Sequence, residues 1–209
     1  MSLSTWLGFF VASWIISLSP GAGAISCMSA GVRYGYRRAF WNIVGLQLGI
    51  MLVLLIVAVG LGAVIAASTT LFLTIKWLGV AYLVWLGIQQ WRSPAAPVAE
   101  DSMASADGTP QRLVLRGFLV NATNPKGIVF MLAVLPQFID PAQPQVVQYA
   151  ICMATLLFTD LVVMSGYTGL AAKVLRALRE PHHVRWMNRT FGGLFVAAGA
   201  LLATFKRAG

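Results

Sequence analysis

The chain has 209 residues, of which 58% are hydrophobic and only 10% charged, with 15 basic and 6 acidic side chains and a formal charge of +9. An ordinary soluble domain carries about 25% charged residues, so this composition excludes that class. The positive balance suits nucleic acid or anionic lipid only until the charges are located along the chain.

Apolar runs of about 18 or more residues with few charges read as membrane spans, and six fit: 5–31, 41–65, 71–91, 113–138, 146–170 and 186–205. No positive charge precedes the first run, unlike a cleaved signal peptide, so span one is expected to be retained. It is interrupted by Ser17-Leu18-Ser19-Pro20-Gly21-Ala22-Gly23, and Arg33, Arg37 and Arg38 follow it. Span two holds the polar residues Asn42 and Gln47, and span three ends at Arg92. The stretch from Ser93 to Gln111 contains Pro94, Pro97, Gly108 and Pro110 with the acids Glu100, Asp101 and Asp107. It cannot pack a core and reads as a flexible linker. Span four is interrupted by Asn121-Ala122-Thr123-Asn124-Pro125-Lys126-Gly127, span five holds Asp160, and a basic loop with His182 and His183 precedes span six.

Eleven of the fifteen basic residues fall in the segments after spans one, three and five, whereas Lys76, Lys206 and Arg207 fall on the other side. Basic loops stay cytoplasmic. Both termini are therefore expected to face outward, on the periplasmic side if the membrane is a bacterial inner one, and the net charge is an orientation signal with lipid head-group contacts. Nucleic-acid binding is excluded, because no basic face is interleaved with accessible aromatics. The linker, 93–112, divides the chain into 1–92 and 113–209. Each part crosses the membrane three times, so the second enters from the opposite side. The fold class is all-α integral membrane, with six transmembrane helices as two inverted three-helix repeats and broken helices one and four. Gly79 and Tyr82 in span three find Gly192 and Phe195 at matching positions in span six. Small residues such as Gly45, Gly49, Gly193 and Gly199 permit close helix approach.

Proline removes a backbone donor and clashes with the preceding turn, so each interruption frees amides and carbonyls inside an apolar run. Lipid cannot satisfy them; protein or a polar cavity must. Pro20 lies about eleven residues before the cytoplasmic end of span one and Pro125 about ten after the cytoplasmic start of span four, which at about 1.5 Å per residue sets both near mid-membrane. Such paired breaks point to a transporter's binding site. A helix restarting at Gly21 or Pro125 offers unpaired amides to a carboxylate, and the carbonyls freed before it suit an ammonium or a hydroxyl. Ser17, Ser19, Asn121, Thr123 and Asn124 can cap these ends or contact ligand. The candidate substrate-binding set is Ser19, Pro20, Gly21, Gly23, Asn121, Asn124, Pro125, Lys126 and Asp160.

Lys126 and Asp160 are the ionisable groups clearly inside the spans, and charge at that depth is usually paired, hydrated or functional. Two readings stand. A buried Asp160–Lys126 ion pair holds the bundle together, or Asp160 holds a substrate ammonium, carries a coupling proton, or both. Met164 and Tyr167 share the Asp160 stripe at helical spacing, as packing or as ligand groups. Trp6, Trp41, Trp77, Trp91 and Trp186 read as an interfacial belt, while Trp14 and Trp85 lie deeper, as core or cavity lining. Cys27 and Cys152 form no disulfide or metal pattern, and adjacent histidines in a loop lack metal-site spacing. No metal site and no cofactor are expected. Motifs of an intramembrane enzyme are absent, and a non-transporting subunit would not need midplane breaks.

At these residues the chain resembles the lysine-exporter-type (LysE/RhtB) family. The likeness rests on Ser17–Ile25 (SLSPGAGAI), Gly35–Ala39 (GYRRA), Gly45–Gly49 (GLQLG), Lys76–Arg92, Asn121–Phe130 (NATNPKGIVF) and Pro136–Phe138. It covers about residues 5–206 outside the linker, and is nearest the homoserine/threonine branch with its homoserine-lactone member. The resemblance implies a bacterial inner-membrane secondary transporter that exports small neutral amino acids against proton entry; the alternative cargo is basic amino acids or metal cations. Many relatives read Pro-Gly-Pro-Asp at the first break, where this chain has Pro20-Gly21-Ala22-Gly23. More of the charge chemistry then falls on Asp160 and Lys126. Expected partners are an amino-acid substrate, protons and lipid, with self-association left open.

Overall fold

The computed structural model describes residues 1–67, 69–93, 108–140, 142–171, 173–174 and 180–204. Most of the linker, together with Arg176, Arg179, Lys206 and Arg207, lies outside the described residues, as does the side chain of Lys76. The described residues form helices α1 (Leu3–Leu18), α2 (Ala22–Ala67), α3 (Thr69–Arg92), α4 (Pro110–Ala122), α5 (Pro125–Val134), α6 (Gln145–Gly169) and α7 (Pro181–Thr204), and no strand. A 3-10 turn, Leu135–Phe138, continues α5.

Local chemistry starts and stops these helices. The Ser2 side chain caps α1 by accepting from the Thr5 amide at 3.2 Å. Pro20 ends α1, and the Ser19 amide closes its last turn on the Ile15 carbonyl. Pro110 occupies the first turn of α4, where its missing donor costs nothing. The last residues of the predicted linker are therefore helical. Asn124 caps α5, accepting from the Lys126 amide at 3.1 Å, with Pro125 in the first turn. The α4 and α5 axes differ by 51° across Thr123–Asn124.

The connection expected between the first two predicted spans, at 32–40, is a turn of one residue rather than a loop. α2 runs through it with a single non-helical residue, Gly35, at φ 72° and ψ 162°. A straight helix would hold Ser26 and Asn42 about 24 Å apart, yet Ser26 Oγ donates to Asn42 Oδ1 at 3.1 Å. A Cβ on Gly23 would likewise sit 3.5 Å from Leu46. The chain thus folds back at Gly35, which separates 22–34 from 36–67.

By length and hydropathy, residues 22–60, α6, and the bent α4–α5 pair each qualify as membrane-crossing. The hairpin at Gly35 divides the first of these into two antiparallel arms. α1 has only 16 residues, while α3 and α7 have 24 each but more polar composition. Val59, Trp85, Phe158, Val146 and Trp186 stand more than half exposed, as side chains facing lipid rather than water would. Trp85 accordingly points outward, and Trp14 is only partly buried. His182 and His183, predicted in a loop, are exposed in the first turn of α7. Cys27 and Cys152 are buried free thiols.

α2 packs chiefly on α4 and α6, α3 on α7 and α5, and α1 on α6. Glycines let the closest pairs approach: a Cβ at Gly45 would strike the Val114 carbonyl, and one at Gly117 the Asn42 carbonyl. Asn42 lies wholly buried there and is satisfied, accepting from Ser26 and donating to the Leu113 carbonyl at 3.3 Å. Two apolar cores result. One gathers Phe9, Leu54, Leu83, Leu135 and Phe195; the other gathers Ala24, Met28, Ile43, Leu46 and Met164.

Candidate functional site

A cavity of about 70 Å3 lies between the two cores, where both helix breaks meet. One water needs about 10–15 Å3 measured this way, so the space holds several waters or a small solute. Of the nine predicted binding residues, Ser19, Gly21, Gly23, Asn121, Asn124, Lys126 and Asp160 line it. Pro20 and Pro125 do not. Their contribution is to the backbone path, ending α1 and opening α5. The remaining wall is largely apolar, with Leu46, Phe130, Leu156 and Met164 among its members.

The freed carbonyls of the first break are occupied by the protein's own groups. Lys126 Nζ donates to the Ser19 carbonyl at 2.7 Å, and Tyr167 OH donates to the Leu18 carbonyl at 2.7 Å. These carbonyls, expected from the sequence to meet a ligand's ammonium or hydroxyl, meet an ammonium and a hydroxyl from the far half of the chain instead. Lys126 Nζ also lies 5.3 Å from the centre of the Phe195 ring, within reach of a cation–π attraction. The ammonium runs beside the turn at Gly21, where a Cβ would sit 3.8 Å from Nζ.

Asp160 is 7% exposed and accepts from Gln47 Nε2 at 2.8 Å. No salt bridge joins it to Lys126 among the described residues; the two face the same cavity and bond to different partners. The purely structural ion pair is therefore not the arrangement found. Asn121 Nδ2 donates to the Leu46 carbonyl at 2.9 Å, and Asn124 serves as the α5 cap. These two amides hold backbone as well as lining the space.

Three buried polar atoms at this site, Ser17 Oγ, Ser19 Oγ and Gln47 Oε1, have no hydrogen-bond partner. Ser17 Oγ approaches Asp160 without completing a bond to it. Native proteins leave few such groups unsatisfied. Gln47 and Phe195 are two further participants, which the sequence offers only as a polar residue of span two and as a repeat position. No spacing rule links either to Asp160 or Lys126, which lie on other helices.

The chain matches the LysE type translocator family over residues 14–205. It is 43% identical to the homoserine/homoserine lactone efflux protein of Salmonella typhimurium over 208 residues, covering 100% of both chains. It is 41% identical over 206 residues to an uncharacterized membrane protein of Vibrio cholerae, covering 99% of this chain and 100% of that one. A leucine efflux protein of Enterobacter is 27% identical over 205 residues, 97% of this chain and 96% of that one. No solved structure matches.

Proposed function

The chain belongs to the LysE-type translocator family and is a membrane efflux transporter, not an enzyme, and from that premise we propose that it exports homoserine, homoserine lactone and threonine from the cytoplasm. The observation that carries this reading is the cavity itself. Two helix breaks, one carboxylate, one ammonium and two unpartnered serine hydroxyls converge on a space of amino-acid scale. A substrate ammonium suits Asp160, a carboxylate suits Lys126 and the restarted end of α2, and a hydroxyl suits Ser17 or Ser19. Asp160 would also exchange the ammonium for a coupling proton. The apolar remainder of the wall favours a short, uncharged side chain. The full-length likeness to a protein named for homoserine and homoserine lactone efflux supports the same cargo.

The architecture in this reading is two inverted three-helix repeats in a bacterial inner membrane, both termini periplasmic. Helix lengths support it: α1 and 22–34 have their counterparts in α4 and 125–138, with Pro20 and Pro125 at corresponding breaks. Contacts exchange as an inverted pair requires. The α1–α6 packing, with Trp6 Nε1 donating to Thr155 at 3.1 Å, answers the packing of α4 on α2. If Gly79 corresponds to Gly192, the close approach of Gly87 to Gly192 maps onto Gly79 and Ala200. The observed approach of Gly199 to the Val80 carbonyl, 3.4 Å from a built Cβ, is one residue away. Rocking of the halves about the cavity then gives alternating access.

The test is uptake into everted membrane vesicles, with homoserine, its lactone, threonine, leucine, lysine and divalent metals as the panel. The expected result is concentration of the first three, driven by a proton gradient and lost in Asp160→Asn. Transport of lysine or metals in their place, or full-rate homoserine transport by a normally inserted Asp160→Asn, refutes the assignment.

A further inference from the structure

Every side-chain hydrogen bond from the polar cavity wall to its surroundings, apart from the Asn124 cap, runs between the two parts of the chain. Lys126 reaches Ser19, Gln47 reaches Asp160, and Asn121 reaches Leu46; just beside the cavity, Tyr167 reaches Leu18. Of these four ties, the Lys126 one is singular. Its donor is an ammonium and its acceptor a neutral peptide carbonyl, so the charge is bonded but not neutralised. A carboxylate would hold it more strongly, since bonds between two charged groups are about twice as strong as neutral ones.

Where that carboxylate would lie is defined by three features. Gly21 presents no side chain toward the Lys126 ammonium. The first amides of α2 lack intrahelical acceptors. Ser17 Oγ and Ser19 Oγ are buried, 3% exposed each, line the same space and have no partner. An anionic group there would take the ammonium, the helix end and a serine hydroxyl together.

We propose that Lys126 is a specificity-determining residue that reads the substrate's free carboxylate by exchanging the Ser19 carbonyl for it, and that this exchange breaks one tie between the two parts of the chain. The proposal rests on the cargo reading above and deepens it. Homoserine and threonine carry the free carboxylate; in the lactone it is an ester with no negative charge. The lactone can engage Asp160 through its ammonium but leaves Lys126 on Ser19. Carboxylate substrates therefore gain both affinity and release of a tie, whereas the lactone gains neither from this residue.

The experiment compares homoserine, homoserine amide and the lactone in everted vesicles carrying wild type, Lys126→Gln or Lys126→Arg. Glutamine keeps a donor for the Ser19 carbonyl while removing the charge. The ratio of homoserine to lactone transport should fall by about tenfold to a hundredfold in Lys126→Gln, the range for a lost bond to a charged group. Arginine should restore much of the ratio. In wild type, homoserine should show a KM about tenfold or more below that of its amide, by the same loss. This arm stands even if Lys126→Gln is not recovered from the membrane. Equal KM values for homoserine and its amide, or a Lys126→Gln ratio equal to wild type, overturn the proposal while leaving the cargo reading intact. If wild-type vesicles carry none of the three, both fall.

Discussion

Gly35→Ala isolates the hinge on which the geometry of the first half depends. At φ 72° and ψ 162°, an L-residue is held where essentially only glycine is comfortable, at about 1–3 kcal/mol. No heavy atom lies within 4 Å of a Cβ built there, so the cost is purely that of the backbone. Gly60 is the matched control: it too has nothing within 4 Å, but it lies in ordinary helix. Alanine at Gly60 should stabilise by roughly 0.5–1 kcal/mol, because glycine is a poor helix residue. The two variants add the same methyl group and should differ by about 2–4 kcal/mol. At about 2–4 °C per kcal/mol for a chain of this size, their melting temperatures in detergent should separate by roughly 4–16 °C, Gly35→Ala being the lower. The hairpin also presses Gly23 toward Leu46, both on the cavity wall, so Gly35→Ala should lower transport as well. Coincident melting of the two variants would show that the hinge is not strained and that the fold-back does not depend on glycine.

Two other substitutions separate the parts of the site. Gln47→Leu removes the donor that holds Asp160 at 2.8 Å, and loss of a bond to a charged group should slow export about tenfold or more. Because the ammonium is common to homoserine and its lactone, both should slow alike in everted vesicles, unlike the split expected at Lys126. Asn124→Ala removes the cap on the Lys126 amide and should cost about 1 kcal/mol of stability, read as a melting shift, with transport reduced through the misplacement of Lys126.

The breaks were legible because proline acts on its own neighbourhood. Pro20 and Pro125 disturb the backbone whatever surrounds them, and a buried Asp160 demands a partner wherever it lies. Those local demands were enough to name seven residues that line one cavity. What could not be read is which helix faces which. Gln47 and Asp160 are 113 residues apart, and the register that joins them is set by the packing of α2 on α6. The tightness of the turn at Gly35 was hidden for another reason. Glycine among arginines reads as a loop, and the Ser26–Asn42 bond and the Gly23–Leu46 approach reveal that one residue suffices. The freed carbonyls suit an ammonium or a hydroxyl of a ligand by their chemistry alone, and no local pattern shows that Lys126 and Tyr167 supply such donors from the far half of the chain.

That last point bears on how the resting arrangement is released. Hydrogen bonds between membrane helices contribute about 0.6–2 kcal/mol each, so the four ties across the site are together worth on the order of 2–8 kcal/mol. Moving a two-state equilibrium from 1:99 to 99:1 takes about 5.5 kcal/mol. The ties alone are therefore of the size needed to hold one arrangement of the halves, and losing all of them uncompensated would oppose rocking. A ligand shifts such an equilibrium only by its differential affinity for the two states. A substrate that merely filled the cavity would leave the ties and the balance unchanged. One that takes Lys126 from Ser19 and Asp160 from Gln47 replaces two ties with bonds that travel with the second half, and removes their resistance to motion. If Lys126 reads the substrate carboxylate as proposed, its bond to the Ser19 carbonyl is a stand-in for that contact, and substrate binding acts where the two halves are joined.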